Sequence, residues 1–280
     1  MRRRLVRKLI GSTMTGVTYG AAALAILPLA VILGMLLVKG AGAIDWNFFT
    51  KSAVPFGDPG GGFAHAIVGT LIIVGLASVV GVPIGVATGI FLAEFGGGRL
   101  GLAIRFVADV LNGVPSIVIG IFAWTWLVKP MGHFSALAGG VALGMILVPI
   151  LARTTEEMVR LVPNSLREAA LALGYPRWRT SLVVVVRTAA AGITTGCLVA
   201  VARVAGETAP LLFTALGNQF FSTRVQGPMA ALPLQIYVYA LGPYDEWHRE
   251  AWAGALVLIV MVLALSLIAR AVVRAKRQRA

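Results

Sequence analysis

Charged side chains are scarce in this chain: Asp, Glu, Lys and Arg make up 12% of its 280 residues, against 58% apolar ones. A water-soluble domain carries about twice that share of charge, so this composition suits a lipid bilayer as solvent. Cysteine is scarcer still. The single Cys197 excludes an intramolecular disulfide, and its place in an apolar run reads as an inert buried thiol. The three histidines, His65, His133 and His248, fall at the expected outer ends of apolar stretches, and none has a cysteine or carboxylate at ligand spacing. No nucleotide-binding loop is present: Gly96-Gly97-Gly98 lacks the Lys and Ser/Thr that would hold phosphates. No cofactor is expected on this chain, and if ATP with its Mg²⁺ drives the protein, a partner hydrolyses it.

Long apolar runs are what the sequence does have. Residues 17–38 carry no charge and form a first expected span. The Ala41-Gly42-Ala43 triplet resembles a signal cleavage site, but the apolar stretch is too long for a signal peptide, so a retained span is expected. An outer loop over 39–65 follows, with Trp46, Phe48 and Phe49 suited to an interfacial belt and with Pro55, Pro59 and Gly60-Gly61-Gly62 to break any helix. Residues 66–93 form a second span with a kink expected at Pro83. A short basic loop with Arg99 and Arg105 leads to a third span over 110–128, and a fourth covers 134–152. A fifth begins at Thr188, and a sixth runs over 251–269. The apolar run 228–241 is too short to cross and predicts a re-entrant or surface segment outside.

Six spans put both termini on one side. Of the 24 Lys and Arg, 18 fall on that side and 5 on the other. The positive-inside rule makes the richer side cytoplasmic. The net charge of +13 is then explained by topology, and no nucleic-acid partner is needed. Three regions are expected: 1–64, a basic N-terminus with the first helix and outer loop; 65–272, a body of the remaining spans containing a polar loop at 153–187; and 273–280, a basic tail.

That polar loop is the longest strongly polar segment. Ser165 and Glu168 stand at capping-box spacing. Leu166, Ala169, Ala170 and Leu173 share one helical face, Gly174 suits a left-handed cap, and Pro176 stops the helix. A helix of roughly eight residues is too short to stand alone in water, so something must pack against it. An amphipathic helix lying on the membrane surface is one reading. Glu168-Ala169-Ala170, three residues, then Gly174 also resemble the EAA loop of ABC importer permeases, although the usual Ile-x-Leu-Pro tail is replaced by Val184-Val185-Val186-Arg187. The resemblance implies a cytoplasmic coupling helix that docks on an ATPase through Ser165, Glu168, Ala169, Ala170 and Gly174.

Arg203 and Glu207 break the fifth span at i, i+4 spacing, where they would share one helix face. A charge at mid-bilayer costs about 2.5–3.5 kcal/mol or more, so such residues face a water-filled path or a partner, or else form an ion pair that locks helices. The planar guanidinium suits an oxyanion. The stretches Arg203-Val-Ala-Gly206-Glu207-Thr208-Ala-Pro210 and Leu111-Asn112-Gly-Val-Pro115-Ser116 are similar to signatures of phosphate-importer permeases, as are Asn218-Gln219-Phe220 and Ala251-Trp252-Ala253-Gly254. The resemblance covers about 61–274. It implies an all-α, six-helix type I ABC importer permease, with Arg203, Glu207, Thr208, Asn112 and Ser116 along the substrate path. It also implies a homologous second permease, two ATP-binding subunits and an extracytoplasmic phosphate-binding protein as partners. Other oxyanions, such as sulfate or molybdate, fit the same architecture. An intramembrane enzyme would need a Ser/His or Asp pair at membrane depth, and none is found.

Overall fold

The computed structural model describes residues 2–55 and 61–277. Pro59 and Gly60 of the helix-breaking run lie outside the described residues, as does the basic tail beyond Arg277. The helices are α1 (Arg2–Gly40), α2 (Trp46–Thr50), α3 (Ala64–Glu94), α4 (Gly98–Gly113), α5 (Ser116–Met131), α6 (Ala136–Arg160), α7 (Asn164–Ala172), α8 (Arg177–Val204), α9 (Ala209–Thr214), α10 (Leu232–Leu241) and α11 (Asp245–Arg277). α1, α3, α6, α8 and α11 are long and apolar enough to cross a bilayer, and α4 with α5 forms a sixth, broken crossing. The chain is a multi-pass, all-helical membrane protein.

The third span differs from the expected 110–128. Pro115 has no N–H to continue a helix and pushes the residue before it out of the helical region. Val114 is extended accordingly (φ −70°, ψ 130°), and α4 and α5 diverge by 102°. The expected basic loop around Arg99 and Arg105 is therefore the body of α4. The expected loop 153–187 is shorter too. α6 continues to Arg160 and α8 starts at Arg177, so only 161–176 lies between the spans. Charges in a sequence mark loops only when water must solvate them. Here ion pairs between helices do so instead, as described below.

α3 and α6 form the central pair. Gly81, Gly85 and Gly89 recur every four residues along α3 and let the backbone of α6 approach closely. A Cβ at Gly85 would stand 2.6 Å from Leu151 Cβ, and one at Gly89 2.5 Å from Ala152 O. Ile73, Leu143, Leu147 and Leu211 fill the middle of this core. α3 runs as one helix through Pro83.

The outer end closes around aromatic rings. Asp45 Oδ1 accepts the Phe48 N–H at 2.8 Å and starts α2. This turns Phe48 inward, 2% exposed and stacked on Phe63, while Trp46 stays 78% exposed. Of the expected belt, then, Phe48 belongs to the core. α10 has ten residues, too few to cross. Its first residue, Leu232, donates its N–H to Thr70 Oγ1 of α3 at 2.7 Å, and α10 forms a hairpin with the start of α11. The expected re-entrant or surface segment is thus a short helix tied to the outer end of the bundle.

Candidate functional site

The inner end of the bundle presents α7. Its C-terminus is built as expected: Gly174 is left-handed at φ +83°, its N–H donates to Leu171 O at 2.9 Å, and Tyr175 N–H reaches back to Ala170 O at 3.2 Å. Its N-terminus is not. The helix begins after Pro163 with no side-chain cap, so Ser165 already lies inside the first turn and the Ser165–Glu168 capping box does not form. A proline before the first turn supplies the fixed φ that starts the helix, which makes a capping side chain unnecessary.

Arg167 takes over the anchoring, and sequence reasoning passed over it. Its Nε and Nη2 donate to Glu94 Oε1 at 3.1 and 2.8 Å, joining α7 to the end of α3. Nη2 also reaches Val159 O at 3.0 Å, and Nη1 bonds Val162 O, so the same side chain satisfies one carbonyl in the last turn of α6 and one just beyond it. Glu94 Oε2 accepts from Ser181 Oγ of α8 at 2.7 Å. One carboxylate thus ties α3, α7 and α8 together. Ala170 packs inward at 4% exposure, while Ser165, Glu168, Ala169 and Gly174 stay exposed along with Leu171 and Leu173. The helix is held from behind and exposed in front.

A second carboxylate organises α4. Glu156, 1% exposed, receives Arg105 Nε at 2.6 Å, Arg160 at 2.7 Å and Arg153 at 3.0 Å, and Arg153 also pairs with Asp109 at 2.8 Å. The remaining Arg105 nitrogens donate to Leu92 O and Gly96 O, capping the end of α3. The sequence signal for these residues was a carboxylate or arginine at the inner end of each apolar run. Counted for topology alone, those charges did not disclose their pairing.

Arg203 and Glu207 depart from the expected geometry. α8 ends at Val204, and Gly206 and Glu207 turn away with N–H bonds to Arg203 O and Val204 O. The glycine and the approach of Pro210 end the helix, so the two side chains do not share a helix face. Among the described residues neither makes an ion pair or hydrogen bond within the chain. Arg203 is exposed and lines a groove of about 590 Å³ between α6 and α8, together with Thr154, Thr195, Gly192 and Gly196 among apolar residues. Thr208 Oγ1 lies 3.5 Å from Pro233 O of α10. Asn112 is exposed and Ser116 half-buried on either side of the α4–α5 bend. α5 packs on α9, with Gly120 against Pro210, so the bend and the segment after Arg203 belong to neighbouring elements. No hydrogen bond joins Asn112 or Ser116 to Arg203 or Glu207 among the described residues. Nor do those residues contain a group of three His, Cys, Asp or Glu that could hold a metal ion.

The chain is similar to several known proteins. A protein named phosphate transport system permease protein PstA from Yersinia pestis is 46% identical over 88% of this chain and 84% of its own length. A probable phosphate transport system permease protein PstA from Methanocaldococcus jannaschii is 40% identical over 86% of each. Among solved structures, a chain of an inward-facing MetNI methionine ABC transporter superposes with a TM-score of 0.58 at 18% identity, covering 76% of this chain and 93% of that one. The fold is therefore that of a type I ABC importer permease. Residues 85–280 match the family described as binding-protein-dependent transport system inner membrane component, and the chain belongs to that family.

Proposed function

We propose that this chain is the membrane-spanning permease subunit of an ATP-driven phosphate importer, forming half of the translocation pore. It is a transport subunit, and family membership implies ATPase and permease partners. One observation carries the reading: α7 is clamped to α3, α6 and α8 by Arg167 and Glu94 yet exposes Ser165, Glu168 and Ala169. This is the geometry of a lever that receives force from a partner and passes it into the bundle. Phosphate as cargo is supported by the relatives named phosphate transport system permease protein and by the unpaired guanidinium of Arg203, whose fork matches an oxyanion.

In this reading both termini are cytoplasmic, and the assembly holds a homologous second permease, two ATP-binding subunits carrying ATP and Mg²⁺, and an extracytoplasmic phosphate-binding protein. Phosphate enters from the outer loops and passes Arg203, with Glu207, Thr208, Asn112 and Ser116 along the path. ATP-driven closure of the ATPases pushes α7. The Arg167–Glu94 clamp passes that motion to α3 and α8, and Glu156 passes it to α4, which turns about its break from α5 and switches access between sides.

Reconstitution of the assembled complex in proteoliposomes tests the proposal. Inorganic phosphate, presented with the binding protein, should stimulate both ATP hydrolysis and its own uptake. Stimulation by sulfate or molybdate but not phosphate would establish the other-oxyanion reading instead. Failure of any ATPase to copurify with this chain would overturn the transporter assignment.

A further inference from the structure

The segment between α9 and α10, residues 215–231, lies at the outer end of the bundle and has no part in the path described above. It contains the Asn218-Gln219-Phe220 stretch. Phe220 is 80% exposed and Phe221 55%. Both stand in irregular backbone, among Asn218, Gln219, Ser222, Thr223 and Gln226. Hydrocarbon does not solvate irregular backbone exposed to it, so these two rings project into water rather than into the bilayer core. Adjacent exposed aromatic rings in water mark a contact surface.

The segment cannot fold the rings away without breaking its own fastenings. Leu216 (φ 59°) and Gly217 (φ 86°) turn the chain through the left-handed region, and Leu216 pairs with Met229 in a β-bridge. Asn218 closes the turn with both side-chain atoms: Nδ2 donates to Pro228 O at 3.3 Å, and Oδ1 accepts the Phe220 N–H at 3.0 Å. The far side is tied to the start of α6, where Leu137 N–H donates to Val225 O at 2.9 Å and Ala136 N–H to Gly227 O at 3.0 Å. A surface ordered in advance loses little entropy on association. The same segment borders a groove of about 600 Å³ lined by His133, Arg224 and Gln226 and by no carboxylate. Arg224 is exposed, and its side chain makes no ion pair or hydrogen bond among the described residues.

We propose that Phe220, Phe221 and Arg224 form the docking surface for the extracytoplasmic phosphate-binding protein, which meets them with an apolar hollow flanked by carboxylates. This inference rests on the transporter reading above and assigns that partner its place on this chain. Aromatic and arginine side chains are enriched at protein interfaces and concentrate binding energy there. A cationic groove without a counter-ion of its own complements an acidic rim. Membership of a binding-protein-dependent family supports this occupant over lipid. α9, six residues or about 9 Å long, separates the turn from Glu207 and Thr208, so a protein seated on the rings delivers its cargo close to the proposed path.

The test uses the full complex in nanodiscs containing phosphatidylglycerol. ATP hydrolysis is titrated with phosphate-loaded binding protein, and binding of that protein is measured directly by biolayer interferometry. Phe220→Ala combined with Phe221→Ala should raise the dissociation constant and the half-stimulating concentration at least about tenfold, with the unfolding temperature and the amount of copurified ATPase unchanged. Phe220→Tyr, which keeps the ring, should bind as the wild type does. Added salt should weaken binding to the wild type more than to Arg224→Gln. Stimulation and binding equal in the wild type and the double alanine variant overturn this inference and leave the transporter reading standing. So does a double variant that loses only retained phosphatidylglycerol, read by native mass spectrometry, because the rings then belong to the membrane surface. A wild-type complex indifferent to the loaded binding protein overturns the transporter reading and this inference with it.

Discussion

At the scale of single residues, Arg203 and Gly174 bear most directly on the proposed function. Because the Arg203 side chain pairs with nothing among the described residues, removing its charge does not strand a buried partner there, and the protein should remain abundant in the membrane. Arg203→Lys keeps the charge but loses the fork. Charge-assisted hydrogen bonds are worth about 1.5–3 kcal/mol, so phosphate uptake by Arg203→Lys or Arg203→Gln should fall at least about tenfold, measured in cells alongside an immunoblot of membranes. Depletion of the protein rather than of uptake would show that the guanidinium holds structure. Gly174 sits at φ +83°, where any side chain is strained. Gly174→Val should cost about 1–2 kcal/mol at the turn and reduce copurification of the ATPase while membrane insertion persists. The turn at Gly174 was legible in the sequence because a helix cap is a contact between near neighbours. The separation of Arg203 from Glu207 was not, because i, i+4 spacing places two residues on one face only while the helix continues.

At the scale of elements, the clamp behind α7 is the part that sequence reading missed. Arg167 and Glu94 are 73 positions apart, Arg105 and Glu156 are 51 apart, and Ser181 and Glu94 are 87 apart. No local pattern records such pairings. If the clamp transmits force, Arg167→Gln should leave the bundle inserted and ATP hydrolysis present but no longer dependent on phosphate. The comparison to make is ATPase activity with and without loaded binding protein in reconstituted vesicles. Unchanged stimulation would mean that α7 is held well enough by Ala170 and the Gly174 turn. The π-helical turn at Thr180–Val185 places Ser181 against Glu94 near the start of α8. Such widened turns recur at functional sites, and this one belongs to the same clamp.

At the scale of the whole molecule, the inside-outside asymmetry of charge makes a direct prediction. In a Cys197→Ala background, Ala172→Cys should react with a membrane-impermeant thiol reagent only after the inner face is opened, and Phe221→Cys should react in intact cells. Both native residues are exposed in the structure. The reverse pattern would invert the assigned orientation.

The sequence by itself determined that the chain is a helical membrane protein, where its five long crossings lie, and that a capped helix ends at Gly174. Hydropathy, turn chemistry and charge bias act over a few residues or over bulk composition, and they survive in one dimension. Tertiary structure alone decided that α4 is a helix rather than a loop, that charged residues from 153 onward continue α6, and that Phe48 faces inward. In each case a distant partner changed what a local signal meant. Arg105 and Arg153 meet Glu156 instead of water, and Phe48 meets Phe63 instead of lipid. Burial and ion pairing depend on which segments come together, and that arrangement is specified by the packing of the whole bundle.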